Sequence, residues 1–559
     1  MTQIADAVRD SPAMAAAVPP QPFPPAVADP LAQPPADLAI GAFSDDPPWI
    51  IELDEMSWRR DIRAVRARVR RELPDLVRPR RIPPGLRVVT VVRHLGLAVG
   101  LWAARERRAG KGTSTSRAGL ARRLRLAAEA LGSTYIKLGQ IISSGEGLFP
   151  EELVREFRKC RDQVPPERFA VVRDVIEEDL GRPLSQIFSS FERTPLAAAS
   201  IAQVHAATLR TGEQVVVKVQ RPQVARLVRE DLRVMAWLAP HLVGRIPVAA
   251  LANPPALVDL FAETITEELD FRLEADNQLD IARSFAELGQ RGYVIPRPHP
   301  DLVTPRVLVM ERLDGFAFDD VAGMRGAGVD TEQVVRTGMI GFLEGCMLHG
   351  IFHGDLHGGN LFVRPDGRTA LLDFGITGRL SEARRLAFLR LIMGASMNDV
   401  MSQMEALRDL GALPADADLR VIIDDLGLEG PPVDPTKLTP EELTGEIQRT
   451  VKALLGYGAR MPKELMLFVK NLVFLDGAIA TLAPDLDLFA EIAEISLYFA
   501  RRHGERIASD VGMNPNDWQM DLTGMKASFG VDPDEVTRLT YRELQERRKL
   551  IGDRLNKRK

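Results

Sequence analysis

Three polar residues in one short stretch have the types and spacing for work on phosphates. They are Asp355, Asn360 and Asp373, within residues 351–375 (IFHGDLHGGNLFVRPDGRTALLDFG). A carboxylate can orient an attacking hydroxyl or water, an amide oxygen can ligate Mg²⁺, and a second carboxylate can bridge metal and phosphate. Moving a phosphoryl group asks little covalent chemistry of a protein but much positioning. The plain alternative is a hairpin, with residues 361–363 and 370–372 as strands about a Pro365-Asp366-Gly367 turn. Both readings want the hairpin, and only the chemical one accounts for its polar flanks.

Other elements must bring a cation and further acids to that stretch. Residues 200–209 (SIAQVHAATL) and 214–220 (QVVVKVQ) are β-branched runs joined by a turn at Gly212, and they read as a hairpin. Lys218 stands in the second run, where a lysine is out of place unless it meets an anion; in a kinase-type lobe that position contacts nucleotide phosphates. Just upstream, Ala197, Ala198, Ala199 and Ser200 occupy the place of a glycine-rich phosphate loop. Backbone N–H groups there can still cradle phosphate, but methyl groups prevent the closest approach. Residues 256–287 read as one long helix on which Glu267, Asp270, Glu274 and Asn277 share a face. Residues 306–311 (RVLVME) read as a strand running into a hinge. Met310 takes the gatekeeper position there, and the backbone at Glu311 and Leu313 is open to an adenine.

Composition sets the frame. A 559-residue chain, 45% hydrophobic and 27% charged, is a globular protein of more than one structural unit. Two cysteines, Cys160 and Cys346, exclude a disulfide scaffold and suit a reducing compartment. No signal peptide is evident, and no clear membrane-spanning run; residues 88–104 come nearest, interrupted by Arg93 and His94. The expectation is a cytoplasmic protein, peripheral at a membrane surface if its basic region binds one.

The net charge of −5 hides a strong asymmetry. Residues 1–50 hold eleven of the 39 prolines and read as a disordered Ala/Pro-rich tail. Residues 59–125 hold 20 Lys and Arg against four acids. Within them, 57–77 and 86–108 read as helices. The second, apolar between basic ends and carrying Trp102, fits either an interfacial helix on an anionic membrane, spanning 59–108 with its basic neighbour, or a buried accessory helix. Nucleic acid is not expected as a partner, since no reading motif accompanies the charge. Gly110-Lys111-Gly112-Thr113 lacks the spacing of a P-loop.

Residues 117–144 read as a helix leading into Lys137-Leu138-Gly139-Gln140, with Lys137 and Gln140 on one side. Residues 151–161 and 166–180 follow as a helical pair. After Asp373-Phe374-Gly375 only five residues precede a helix N-cap at Ser381, too few for a segment that docks a polypeptide. The remainder reads as helices at 385–397, 400–410, 440–456, 462–482, 487–501 and 535–548, closing on the basic tail 557–559. No hydrolase triad or zinc-ligand spacing is present.

These motifs together resemble the ABC1/UbiB (AarF/ADCK-type) family of atypical protein-kinase-like proteins. The carrying residues are Lys137–Gln140 (K-x-G-Q), Ala197–Ser200 (Ala-rich loop), Val217-Lys218, Glu268-Leu269-Asp270 (E-x-D), Glu274 and Asn277, residues 353–360 and Asp373–Gly375. The resemblance covers roughly residues 115–500. It implies an α+β fold: a two-lobed atypical kinase with an N-terminal helical extension whose K-x-G-Q segment covers the active site, and a helical C-terminal region. The units implied are 51–114 (basic helical segment), 115–194 (extension), 195–315 (N-lobe with helical insert), 316–500 (C-lobe) and 501–559 (helical tail). It implies ATP and Mg²⁺ as cofactors, with Lys218 on the phosphates, paired with Glu268 or Glu274. Asp355 would orient the acceptor or water, and Asn360 and Asp373 would hold the metal. It also implies a link to an isoprenoid lipid or quinone intermediate, with ATPase or small-molecule kinase activity favoured over protein phosphorylation. An aminoglycoside/choline-kinase-type phosphotransferase and a nucleotide-gated lipid-binding scaffold are the competing readings.

Two features depart from the family pattern. Residues 143–150 (SSGEGLFP) lack the Arg and Asp that commonly follow K-x-G-Q, and the sequence ends in charged residues where bacterial members often have membrane-spanning helices. Gly354, in turn, stands where a protein kinase often has Arg, which argues against regulation by loop phosphorylation.

Overall fold

The structure of the protein is a computed structural model. It describes residues 41–105, 114–143, 150–160, 165–242, 254–429, 462–512 and 538–556, with single positions near 453–459 and at 526. The expected tail over residues 1–40, the 110–113 segment, the departure at 144–149, most of the 440–456 helix and the tail 557–559 lie outside the described residues.

Six strands form the N-lobe sheet: β1 (Phe188–Phe191), β2 (Ala197–Ala198), β3 (Ala202–Leu209), β4 (Gln214–Gln220), β6 (Pro298–Val303) and β7 (Val307–Glu311). Their order is β1-β3-β4-β7-β6, with β2 also on β3. The β3–β4 turn closes at Gly212, whose φ of +108° only glycine adopts cheaply. Strand alternation then sorts the side chains. Val215, Val217 and Val219 pack with Val307 and Val309 against Val172 and Ile176. Val216, Lys218 and Gln220 therefore face the opposite way, toward the cleft.

Helices precede this sheet: α1 (Ile62–Val77), α2 (Arg87–Arg105), α3 (Ser114–Leu131), α4 (Ser133–Ser143), α5 (Glu151–Phe157) and α6 (Phe169–Leu180). The single helix expected over 117–144 is two, because Gly132 takes a φ of +99° between them. Three more helices, α7 (Val224–Leu242), α8 (Pro254–Glu267) and α9 (Phe271–Leu288), lie between β4 and β6. The long helix expected over 256–287 is thus broken. Asp270 is extended (φ −136°, ψ 103°) and caps α9 by accepting from Arg272 N. The acidic face expected for Glu267, Asp270, Glu274 and Asn277 is not formed: Glu267 ends α8, Asp270 sits in the break, and Glu274 and Asn277 belong to α9.

A second sheet, in the order β5 (Tyr293–Val294), β11 (Thr369–Leu371), β10 (Leu361–Val363), β8 (Phe316–Ala317), carries the catalytic-loop hairpin, and β9 (Ile351–His353) pairs with β12 (Thr377–Arg379). Helices complete the C-lobe: α10 (Thr331–Glu344), α11 (Glu382–Ser396), α12 (Val400–Asp409), α13 (Leu419–Leu426), α14 (Lys463–Leu482), α15 (Leu488–Val511) and α16 (Tyr541–Asn556). One large apolar core runs from the extension through α7–α9 into α14.

The stretch expected to be a tail over 1–50 is folded at its end. Ala42 N donates to Ala282 O and Ile295 N to Ala42 O, both at 2.9 Å. Phe43 and Ser44 are buried, Asp45 pairs with Arg368, and Trp49 Nε1 donates to Pro298 O. Among the described residues two helices, α2 and α14, have the length and composition to cross a membrane. Half of α14 is buried as a core helix of the C-lobe. Most of α2 is uncovered, but its Trp102 is buried and donates to Ser116 O, so it does not serve as an interfacial tryptophan.

Candidate active site

Lys218 is fixed by the sheet register, Val204 on one side and Leu308 on the other. Its ammonium donates to Glu274 Oε1 at 2.7 Å and to Asp373 Oδ1 at 3.0 Å. The spacing-level ambiguity is thereby resolved: Glu274 pairs with Lys218. Glu268 pairs instead with Lys137, at 3.0 Å. Lys137 arrives on α4, which packs tightly on α5 because Gly139 has no side chain; a Cβ there would lie 2.5 Å from Phe157. Gln140 is half-buried one turn further along α4.

The loop from β9 to β10 brings in the other two residues. Asn360 donates from its amide nitrogen to Asp355 O at 3.0 Å, which leaves its side-chain oxygen as an acceptor. Asp355 N donates to His353 Nδ1, so His353 Nε2 carries the proton and faces the carbonyls of Leu372 and Asp373 at 3.0 and 2.9 Å. Burial holds that imidazole below its usual pKa and neutral. Asp373 adopts a φ of +56°, a left-handed conformation costly for a residue with a side chain. There its Oδ1 accepts from Gly375 N as well as from Lys218.

Charge in this cluster is tightly balanced. Burial works against every charge in it. For Lys218, Asp373 and then Glu274 overcome that cost and hold the ammonium above the usual lysine range. Burial pushes the Glu274 carboxyl up to about 7, against the pull of Lys218; the lysine keeps its charge regardless, because Asp373 holds it from the other side. Lys137 is likewise raised despite burial, by Glu268, Asp355 and Asp373. Asp373, opposed by burial, is held at about 2 by Lys218 and Lys137. Its side chain is 45% exposed, against 3% for Glu274 and 6% for Glu268. Among the described residues no three His, Cys, Asp or Glu side chains form a metal cage. Mg²⁺ that travels with nucleotide needs fewer protein donors, and the open Asp373 carboxylate with the Asn360 oxygen is a fitting hard-oxygen pair.

Other expected residues lie outside the cluster. In the Ala-rich loop, Ala197 and Ala198 pair with Val204 and Gln203, Ala199 N bonds to Ala202 O, and Ser200 is buried. Arg221 ties Ala199 O to Glu167 of the extension, at 3.0 Å each. Met310 is buried and its sulfur accepts from Gln278. At the hinge, the Glu311 amide expected to be open is donated to Arg297 O, and its carboxylate is shared between Ser44 and Arg297. Leu313 is buried beside Val294 and Ala370. Asp270 serves as a helix cap.

Sequence reasoning missed Lys470 and Asn471 of α14. The ammonium of Lys470 pairs with Asp355. Asn471, fully buried, donates to His353 O and accepts from Leu356 N at 3.1 Å. The available signal was a polar pair in the middle of an apolar helix (KELMLFVKNLVFLDGAIATL).

Comparison with known proteins agrees with this geometry. The ABC1 atypical kinase-like domain matches residues 159–407. The chain is 36% identical over 373 residues to an uncharacterised protein of Mycobacterium tuberculosis, covering 66% of this chain and 76% of that one. It is 32% identical over 371 residues to the probable protein kinase UbiB of Pseudomonas fluorescens (66% and 69% covered). With the chloroplastic protein Activity of BC1 Complex Kinase 1 of Arabidopsis thaliana it shares 34% over 374 residues (67% and 54%). A kinase-like site closed from above by a K-x-G-Q helix, on a chain so related, places this protein in the ABC1 atypical kinase-like family, among relatives named UbiB and aarF-domain kinases.

Proposed function

We propose that the protein binds ATP with Mg²⁺ between its lobes and uses it for phosphoryl transfer to a small or lipid acceptor, or for hydrolysis. The observation that carries this reading is Lys218, held between Glu274 and Asp373 beneath Lys137. Such a buried, doubly paired ammonium is poised for an anion. Lys218 contacts the phosphates, and Glu274 keeps its ammonium in place. Asn360 and Asp373 hold Mg²⁺, which when bound neutralises phosphate charge. Asp355 orients the hydroxyl or water that attacks. Lys137, with Glu268, closes the cleft from the extension and excludes water.

A polypeptide substrate fits poorly. After Gly375 the chain is consumed by β12, which pairs with β9 residue for residue from Thr377–His353 to Arg379–Ile351. No length remains there for a docking segment. A lipid acceptor of the isoprenoid or quinone type fits better. The outer face of α2 exposes Val89, Val92, Leu97 and Leu101 among exposed arginines, as an anionic membrane surface requires. ATP hydrolysis by wild type and Asp373→Asn, with and without anionic liposomes, tests the reading. Turnover lost in the variant supports it. Absence of nucleotide binding overturns it, and binding without turnover under every condition favours a nucleotide-gated scaffold.

A further inference from the structure

We infer that Lys470 is a positioning residue of the reaction: a cation that the C-lobe helix α14 delivers to the catalytic-loop carboxylate. This rests on the reading of Asp355 as the group that orients the acceptor. Lys470 and Asp355 are paired with side chains 18% and 16% exposed, in surroundings that strengthen an ion pair and make either charge costly alone. The next residue grips the same loop. Asn471 bonds to the backbone of His353 on one side of Asp355 and of Leu356 on the other. Two adjacent side chains thus fix both the path of the loop and the carboxylate it presents.

The charge pattern assigns the role. Lys137 is engaged with Glu268, and Lys218 with Glu274 and Asp373. Lys470 is the cation in direct contact with Asp355. Around Asp355, Lys137 adds positive potential, while Asp373 and Glu268 add negative. Away from Asp355, Lys470 borders a narrow recess lined by Ile141 of α4, Thr264 of α8, Ile376, Met466 and Leu467. Four of those five walls are apolar, so the ammonium has poor alternatives to Asp355 and stays where it is placed. A carboxylate anchored in this way points its other oxygen at the acceptor without reorganising, which is the condition for positional catalysis. The sequence near the loop supplies no such group: His357 turns its Nδ1 to Gly359 N.

The test is steady-state ATP turnover by full-length wild type, Lys470→Met and Lys470→Arg, with ATP affinity and melting temperature measured alongside. The expected result is a fall in kcat of about 30-fold in Lys470→Met, with the KM for ATP within about threefold, and recovery of most of the loss in Lys470→Arg. Wild-type kcat in Lys470→Met overturns the proposal. So does a loss that Lys470→Arg fails to recover and that follows a lowered melting temperature, since that describes a purely structural pair. To separate stability from turnover, the double variant Asp355→Asn/Lys470→Met removes both charges and is expected to melt above Lys470→Met while remaining inactive. A wild type without turnover overturns the function reading and this proposal together; an active wild type with an equally active Lys470→Met overturns this proposal alone.

Discussion

Arg66 of the N-terminal helix α1 donates to Oδ1 of Asn277 at 2.9 Å, and the amide of Asn277 donates to Phe374 O at 2.9 Å. One asparagine therefore links the basic segment to the backbone of the Asp-Phe-Gly turn. Arg379 reaches the same oxygen at 2.7 Å, and Asp276 accepts from both Arg59 and Arg66. Arg66→Ala removes charge-assisted bonds from a half-buried network and is expected to cost about 2 kcal/mol. Chemical denaturation measures that cost. Faster amide exchange across residues 374–379 should accompany it, and unchanged exchange there would show that the link does not reach the turn.

The pairing of two lysines with two different glutamates makes the acids separable. Glu274→Gln leaves Lys218 free to lean on Asp373 alone, so kcat/KM for ATP is expected to fall about 100-fold. Glu268→Gln spares Lys218 and loosens the α4 cover, with a loss of about tenfold. Equal losses in the two variants would contradict the separate pairing. Nucleotide titration and steady-state kinetics decide it.

Gly354 tolerates no side chain. A Cβ there would stand 2.9 Å from Ile376 Cγ2 and 3.0 Å from Leu467 Cδ1, beside the Asp355 it precedes. Gly354→Ala is expected to destabilise by about 1–3 kcal/mol through overpacking and to lower turnover by displacing the loop. Calorimetry and kinetics on the purified variant measure both. The arginine many kinases carry at this place has no room here.

His299 contributes to acid stability. Its Nδ1 accepts from the N–H groups of Asp301 and Leu302, and its ring lies 5.0 Å from that of Trp49. Burial lowers its pKa from 6.5 to about 4. The folded protein resists the proton that the unfolded chain accepts, so its contribution is complete above pH 6.5 and is lost as pH falls toward 4. His299→Asn keeps an acceptor for the turn without a titrating ring. Denaturation curves between pH 4 and 6.5 should have a shallower pH slope in the variant, and parallel slopes would refute the assignment.

The exposed face of α2 gives a membrane prediction. Leu97→Asp with Leu101→Asp places two carboxylates among exposed apolar side chains and arginines. Co-sedimentation with anionic liposomes is expected to fall at least about tenfold, with ATP affinity unchanged. Undiminished binding would move the contact elsewhere.

Much of this was legible in the sequence, for reasons that also explain what was not. Asp355, Asn360, Asp373 and Lys218 belong to short motifs whose spacing is fixed by a loop or a strand. Glu268 and Glu274 could not be told apart, because the break between α8 and α9 depends on a single extended residue, Asp270. Lys470 and Asn471 meet Asp355 and its neighbours across a sequence separation of 115 or more residues, and only packing of α14 brings them there. Ser44 could not be read from a proline-rich segment, since its partners Arg297 and Glu311 lie more than 250 residues away.

That serine has a mechanical consequence. The segment from Ala42 to Trp49 joins Arg368 of the C-lobe hairpin, Arg297 and Glu311 at the hinge, and Pro298 of the N-lobe sheet. It is a stay fastened across the back of the joint, with Phe43 pressed against the Arg297 guanidinium at 4.9 Å. Spreading the lobes would break the buried Ser44–Glu311–Arg297 bonds and strain the fastenings on either side. At the front, α4 buries Tyr135, Ile141 and Ile142 in the common core and adds the Lys137–Glu268 pair. The two lobes should therefore behave as one braced frame, not as a clam.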